Sequence, residues 1–189
     1  MKGARPLGKS EIAAVLECCE GRDKALVLIG LNLGLRVSEL VSLQWQDVLD
    51  QGRILPLVYL SASVTKGRKP RAVPVNRRAA TAILELHRRS CGGQAKPTGY
   101  LFPGRDKGHI CRRHVNRLLY RVFAEARLGG RLSSHTLRKT FGTLLSERGI
   151  SLPVIQELLG HADISTTRKY IGVGMSSLQD ATRVLAGAY

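Results

Sequence analysis

A mainly α-helical domain with one small antiparallel β-sheet (an α+β fold) is what the sequence predicts, and three observations predict it. Apolar residues recur at helical spacing through most of the chain. One stretch, Arg53 to Val75, changes instead to Val, Ile, Tyr, Thr and Ser. The 189 residues, 43% of them hydrophobic, have the length and apolar content of one domain around a continuous core. No repeat period and no low-complexity tract interrupts that pattern.

Taken in order, residues 1–9 read as a basic leader. Ser10 can cap a helix carrying Ile12, Val15, Leu16 and Cys19 at helical spacing, with Gly21 ending it. The apolar run from Ala25 is a second helix, buried on most faces and stopped at Asn32 to Gly34. A short helix follows at Val37 to Leu43. Arg53 to Val75 is the sheet, and Lys66, Arg68, Lys69 and Arg71 around Gly67 and Pro70 give its hairpin a positive tip. Asn76 opens a helix with Ala80, Ile83, Leu84 and His87 on one side, and Ser90 to Gly108 is a long surface loop.

Ile110 to Ala126 is the most informative helix. Cys111, Val115, Leu118, Leu119, Val122 and Ala126 fall on one arc, and Arg113, Arg117 and Arg121 line up opposite. Only Arg121 has an acidic neighbour one turn away, Glu125. The ridge therefore reads as a phosphate-contacting surface rather than a merely solvated face. Helices at Ser134 to Arg148, Pro153 to Leu159 and Ser165 to Ile171 follow, and a tail at Ser177 to Leu185 carries an apolar stripe.

Lys and Arg number 30 against 14 Asp and Glu, a formal net charge of +16. Ample apolar mass excludes a disordered chain, and the charge calls for a polyanionic partner, nucleic acid ahead of an acidic membrane surface. The longest apolar run is too short and too interrupted to span a bilayer. Four cysteines without a C-x-x-C pair fit a reduced, cytoplasmic setting rather than a disulfide framework. His109, Cys111 and His114 suggest a metal cluster only superficially, since H-x-C-x-x-H is not a standard zinc spacing.

Chemistry enters with His135 and Arg138, three residues apart on one helix. Upstream, Arg36 stands in an apolar stretch and needs an anion or a carboxylate. Downstream lie Leu159-Gly160-His161 and then Tyr170. Singly, each has an ordinary structural reading: Tyr170 a half-buried helix tyrosine, His161 a helix cap, Lys66 one hairpin lysine competing with Lys69.

Together, G-L-R-V-S-E-L at 34–40, T-K-G at 65–67, H-T-L-R at 135–138 and L-G-H at 159–161 with Tyr170 resemble the catalytic boxes of the tyrosine recombinases, the phage integrase family. The resemblance implies a tyrosine-recombinase catalytic-domain fold and a site-specific DNA recombinase or integrase. Tyr170 would attack a phosphodiester to give a 3′-phosphotyrosine and a free 5′-hydroxyl. Arg36 and Arg138 would hold the non-bridging oxygens, whose geometry two planar guanidinium forks match. His161 would donate to the same phosphate, His135 would take or position the tyrosine proton, and Lys66 would protonate the leaving oxygen. Glu39 would orient Arg36 without touching the substrate. Neither metal nor cofactor is implied. Arg68, Lys69, Arg71, Arg113, Arg117 and Arg121 would contact DNA.

The same resemblance implies one catalytic domain over 1–189 with its core at 10–171, and a tail helix at 177–185 docking in trans. The N-terminal core-binding domain of most members has no counterpart in the sequence. The partner would be double-stranded DNA and not a membrane, with a monomer in the absence of DNA and a tetramer on paired sites, in the cytoplasm at the nucleoid. A type IB topoisomerase shares this chemistry but works as a monomer. A DNA-binding regulator with the same fold would have no use for a tyrosine in this setting.

Overall fold

The computed structural model describes residues 3–62, 70–106 and 108–160. Their elements run α1 (Lys9–Glu17), α2 (Gly21–Leu33), α3 (Val37–Ser42), a 3-10 turn (Trp45–Asp47), β1 (Leu49–Asp50), β2 (Arg53–Ile54), β3 (Leu57–Leu60), β4 (Arg71–Pro74), α4 (Arg77–Cys91), α5 (Arg112–Glu125), α6 (His135–Glu147) and α7 (Leu152–Leu159). The predicted helices at 165–171 and 177–185 lie outside the described residues, as does the hairpin tip.

Helix α2 is the centre of the core. Ala25, Leu26, Val27, Ile29, Leu31 and Leu33 are all buried, because α4, α6, α1 and α3 each pack against it, and the line of Lys24, Leu28 and Asn32 keeps partial exposure. It begins at Gly21, not Ala25: its first turn is the charged Arg22, Asp23 and Lys24, which the apolar run does not include. Gly34 ends it in the left-handed conformation, φ 60°, and the ring of Phe141 on α6 lies where a side chain would project. That turn aims the Gly34 carbonyl at α6 and starts α3 three residues later.

Among the described residues the small antiparallel β structure consists of two two-stranded ladders, β1 with β2 and β3 with β4. In the second, Leu57 pairs with Pro74, Val58 with Val73, Tyr59 with Ala72 and Leu60 with Arg71. Val58 and Leu60 face inward while Tyr59 is exposed, and on β4 the inward positions are Val73 and Arg71.

Two further expectations need revision. Residues 5–8 are packed into the fold rather than forming only a basic leader. Leu7 is buried, and its N–H donates to Thr140 Oγ1 at 2.9 Å. The Arg5 N–H donates to the Arg131 carbonyl, and its guanidinium binds Glu11 and the Gly129 carbonyl. Helix α1 accordingly starts at Lys9 behind Gly8, whose N–H donates to the Glu11 carboxylate. Cys111 does not lie on the apolar arc of α5; it precedes the helix and is exposed, because the buried residue at that turn is Ile110. The long loop after α4 is tied down through Leu101 and Phe102, both buried, and Leu101 N–H donates to the Leu43 carbonyl. No helix among the described residues is long and apolar enough to cross a membrane.

Candidate active site

Glu39, on α3, has no solvent exposure and gathers three arginines from three parts of the chain. Its Oε1 accepts from Arg36 Nη1 at 2.8 Å and from Arg71 Nη1 at 2.9 Å. Its Oε2 accepts from the Arg36 backbone N–H and from Arg71 Nη2, both at 2.7 Å. These four hydrogen bonds fill the acceptor capacity of a carboxylate. Arg138 Nη1 stands 3.8 Å from Oε2, an ion pair without a hydrogen bond.

Burial by itself would push the Glu39 pKa up. The hydrogen bonds from Arg71, then the Arg36 N–H, the Arg71 charge and the Arg36 side chain outweigh it and hold the carboxyl below its ordinary value. Glu39 is therefore ionised at neutral pH, one carboxylate shared by three guanidiniums among the described residues.

The same arginines close the C-terminus of α7. The last carbonyls of a helix have no partner within it. Here the Leu158 carbonyl accepts from Arg71 Nε at 3.3 Å, the Leu159 carbonyl from Arg138 Nη2, and the Gly160 carbonyl from Arg36 Nη2 at 3.2 Å. Arg138 Nη1 also donates to the Gly34 carbonyl at 2.8 Å, binding the end of α2 to the start of α6. Gly160 has φ 60°, and the Arg71 side chain lies against its Cα. The next residue is His161.

Among the sequence-predicted residues the structure thus brings Arg36, Glu39 and Arg138 together. Arg36 is the arginine that reaches solvent, with 18% of its side chain exposed against 2% for Arg138. His135 opens α6 one turn before Arg138 and is exposed. Buried Thr136 fixes that turn: its Oγ1 accepts from Ser133 N–H, and its carbonyl accepts from Thr140 Oγ1. Lys66, Arg68, Lys69, His161 and Tyr170 lie outside the described residues.

Arg71 is corrected. The basic run suggested a surface contact, but its side chain is 4% exposed and both terminal nitrogens are on Glu39, so it does not belong to the cationic hairpin tip. The available sign was its phase: Arg71 is two residues before Val73 and so shares its inward face.

Arg113, Arg117 and Arg121 are all exposed on α5, opposite buried Val115, Leu118, Leu119 and Val122. Arg121 pairs with Asp23 at 3.0 Å and more loosely with Glu125 at 3.8 Å. A cleft of about 850 Å³ adjoins the start of α5, away from Glu39, with Arg22, Arg105, His109, His114 and Arg117 on its walls. No three His, Cys, Asp or Glu side chains converge as metal ligands among the described residues, and His109 instead bonds the Ile110 carbonyl through Nδ1.

The sequence profile of the phage integrase family matches residues 6–176. The tyrosine recombinase XerC of Pelobacter propionicus is 40% identical over 159 residues, covering 84% of this chain and 50% of that protein. The chain spans about half the length of the curated relatives it matches. In fold it is similar to the crystal structure of XerA recombinase, with a TM-score of 0.75 at 24% identity over 99% of this chain and 67% of the other. It is similar also to the XerH site-specific recombinase bound to palindromic difH substrate, with a TM-score of 0.74 at 24% identity over 96% of this chain and 52% of the other. On the match over residues 6–176, which takes in Arg36, Glu39 and Arg138, the chain belongs to the phage integrase family.

Proposed function

We propose that the chain is the catalytic domain of a site-specific DNA recombinase, cutting and rejoining strands through Tyr170 without a metal. The observation that carries this reading is the convergence of Arg36 and Arg138 on Glu39 and on the carbonyls that close α7, one residue before His161. Phosphoryl displacement concentrates negative charge on the equatorial oxygens, and preorganised guanidiniums in a water-poor site stabilise that charge most where it develops. In the proposed step Tyr170 Oη attacks phosphorus and passes its proton to His135. The bond to the 5′-oxygen breaks, and Lys66 supplies the proton that oxygen takes. His161 donates to a non-bridging oxygen. The covalent intermediate keeps the phosphodiester energy for rejoining. Relatives named tyrosine recombinase favour recombination over topoisomerase-like relaxation or a regulator without turnover.

The partner is duplex DNA, held by the net charge of +16 and by the exposed ridge on α5, and the natural place for such an enzyme is the nucleoid in the cytoplasm. Assembly follows the same reading: monomer alone, tetramer on paired sites, with the tail 177–185 docking on a neighbour. Removing residues 176–189 would leave single-turnover cleavage measurable and abolish paired-site strand exchange.

The deciding experiment incubates the protein with nicked suicide substrates and looks for protein joined to DNA after denaturing electrophoresis. The parent forms the adduct, and Tyr170→Phe binds DNA but does not. An adduct persisting in Tyr170→Phe would move the nucleophile elsewhere.

A further inference from the structure

We propose that Arg71 is a positioning residue of the active site: it occupies Glu39 so that Arg36 and Arg138 face the phosphate, and it sets the end of α7 from which His161 departs. This rests on the recombinase reading above. Three observations converge on it. First, Arg71 takes both oxygens of Glu39 in a two-pronged pair, at 2.9 and 2.7 Å, while Arg138 is held off at 3.8 Å. Without Arg71 the buried carboxylate would have vacant lone pairs facing Arg138, and it would draw that guanidinium in, lowering its charge toward substrate.

Second, Arg71 Nε donates to the Leu158 carbonyl, and its aliphatic stem lies on Gly160. Arg71 thus fixes α7 from the strand side while Arg36 and Arg138 fix it from the helix side. Third, Arg71 opens β4, five residues after Lys66 in the chain, and pairs with Leu60 on β3. The strand that follows Lys66 in the sequence is therefore pinned, by one side chain, to the end of α7 that precedes His161. A lysine could not do this, because a single ammonium has no planar fork for two carboxylate oxygens together with a third donor for Leu158.

The test uses the full chain and a nicked suicide substrate on which the parent forms an adduct; a parent that forms none overturns the recombinase reading itself. Arg71→Met and Arg71→Lys are compared for DNA affinity, for the salt dependence of binding, and for single-turnover cleavage at saturating DNA. The expected result is unchanged affinity and salt slope with cleavage slowed by about 10²-fold, the scale of a misplaced reacting group. Lysine should rescue little of it. On a Glu39→Gln background, Arg71→Met should cost less than it does alone, since part of its action runs through the same carboxylate. The proposal is overturned if the loss lies in affinity with a shallower salt slope, which is a surface phosphate contact, or if the two substitutions add fully. Should Arg71→Met not fold, Arg71→Lys decides alone, and cleavage at the parental rate refutes the positioning role.

Discussion

Gly160 and Arg71 lie so close that a Cβ on the glycine would sit 2.7 Å from Arg71 Cδ. The contact joins a turn identified by its L-G-H sequence to a strand arginine that belonged to no motif. It also makes the glycine obligatory twice over, once for φ 60° and once for space. Gly160→Ala should therefore lose stability by more than the roughly 1 kcal/mol of left-handed strain. Gly149 provides the control, with φ 76° and open space around it. Thermal unfolding of the two alanine variants should show the larger drop at 160, and DNA cleavage should slow only there. Equal losses at both positions would mean that the Arg71 contact contributes nothing.

Acid should expose the Glu39 hub. Its folded pKa is lowered from 4.5, against the desolvation that opposes this, chiefly by hydrogen bonds from Arg71 and the Arg36 N–H. A depressed carboxylate binds fewer protons folded than unfolded in this range, so its stabilisation is complete above about pH 4.5 and is lost as pH falls through the lower folded value. Glu39→Gln should be less stable at neutral pH by on the order of 3 kcal/mol, since it leaves buried guanidiniums without their counter-charge. It should also flatten the acid limb below about pH 4.5 in a series of denaturant melts. A variant whose acid limb matches the parent's would assign that limb to other carboxylates.

How much of this was legible in the sequence depends on which atoms carry the structure. The helices announced themselves by apolar spacing, and Arg36, Glu39 and Arg138 by their motifs, because those are side-chain patterns. What stayed hidden is backbone chemistry: the acceptors of Arg71, Arg138 and Arg36 at the end of α7 are the carbonyls of Leu158, Leu159 and Gly160, and every residue has a carbonyl. Arg71 was obscured by its neighbours, since a basic run reads as a solvated tip unless the alternation Arg71, Val73 is given priority over charge. Leu7 was hidden likewise among basic and small residues, although a leucine so placed has a core to join.

The two motif arginines should differ in what they support. Replacing either is expected to slow single-turnover cleavage by about 10²-fold or more, as removal of a preorganised donor does. Arg138→Ala should in addition lower the unfolding midpoint. It strips the Gly34 and Leu159 carbonyls of their donor in a buried place, where each unsatisfied group costs about 1–3 kcal/mol. Arg36, more exposed, should cost less stability when replaced by alanine. Normal cleavage by Arg138→Ala at saturating DNA would remove it from the phosphate clamp.

The α5 ridge should serve binding and not chemistry, with its members unequal. Arg113 and Arg117 have no ion pair among the described residues, whereas Arg121 already faces Asp23 and Glu125. A cation with two acidic neighbours has less net field to offer a phosphate, and displacing those neighbours offsets part of any gain. The arginines on the walls of the adjoining cleft, Arg22 and Arg105 with Arg117, extend the same face toward the start of the helix. Replacing Arg113 and Arg117 together with glutamine should therefore weaken DNA affinity and reduce the slope of log affinity against log salt by about 0.9 for each phosphate no longer neutralised. Arg121→Gln should change that slope by much less. Cleavage at saturating DNA should stay at the parental rate in both the double and the single variant, because the ridge is on the solvent side of α5 while Glu39 and its arginines lie in the buried corner of α3, α6 and α7. An unaltered salt slope in the double variant would make the ridge an ordinary solvated helix face, and the DNA-binding surface would have to be sought elsewhere on the chain.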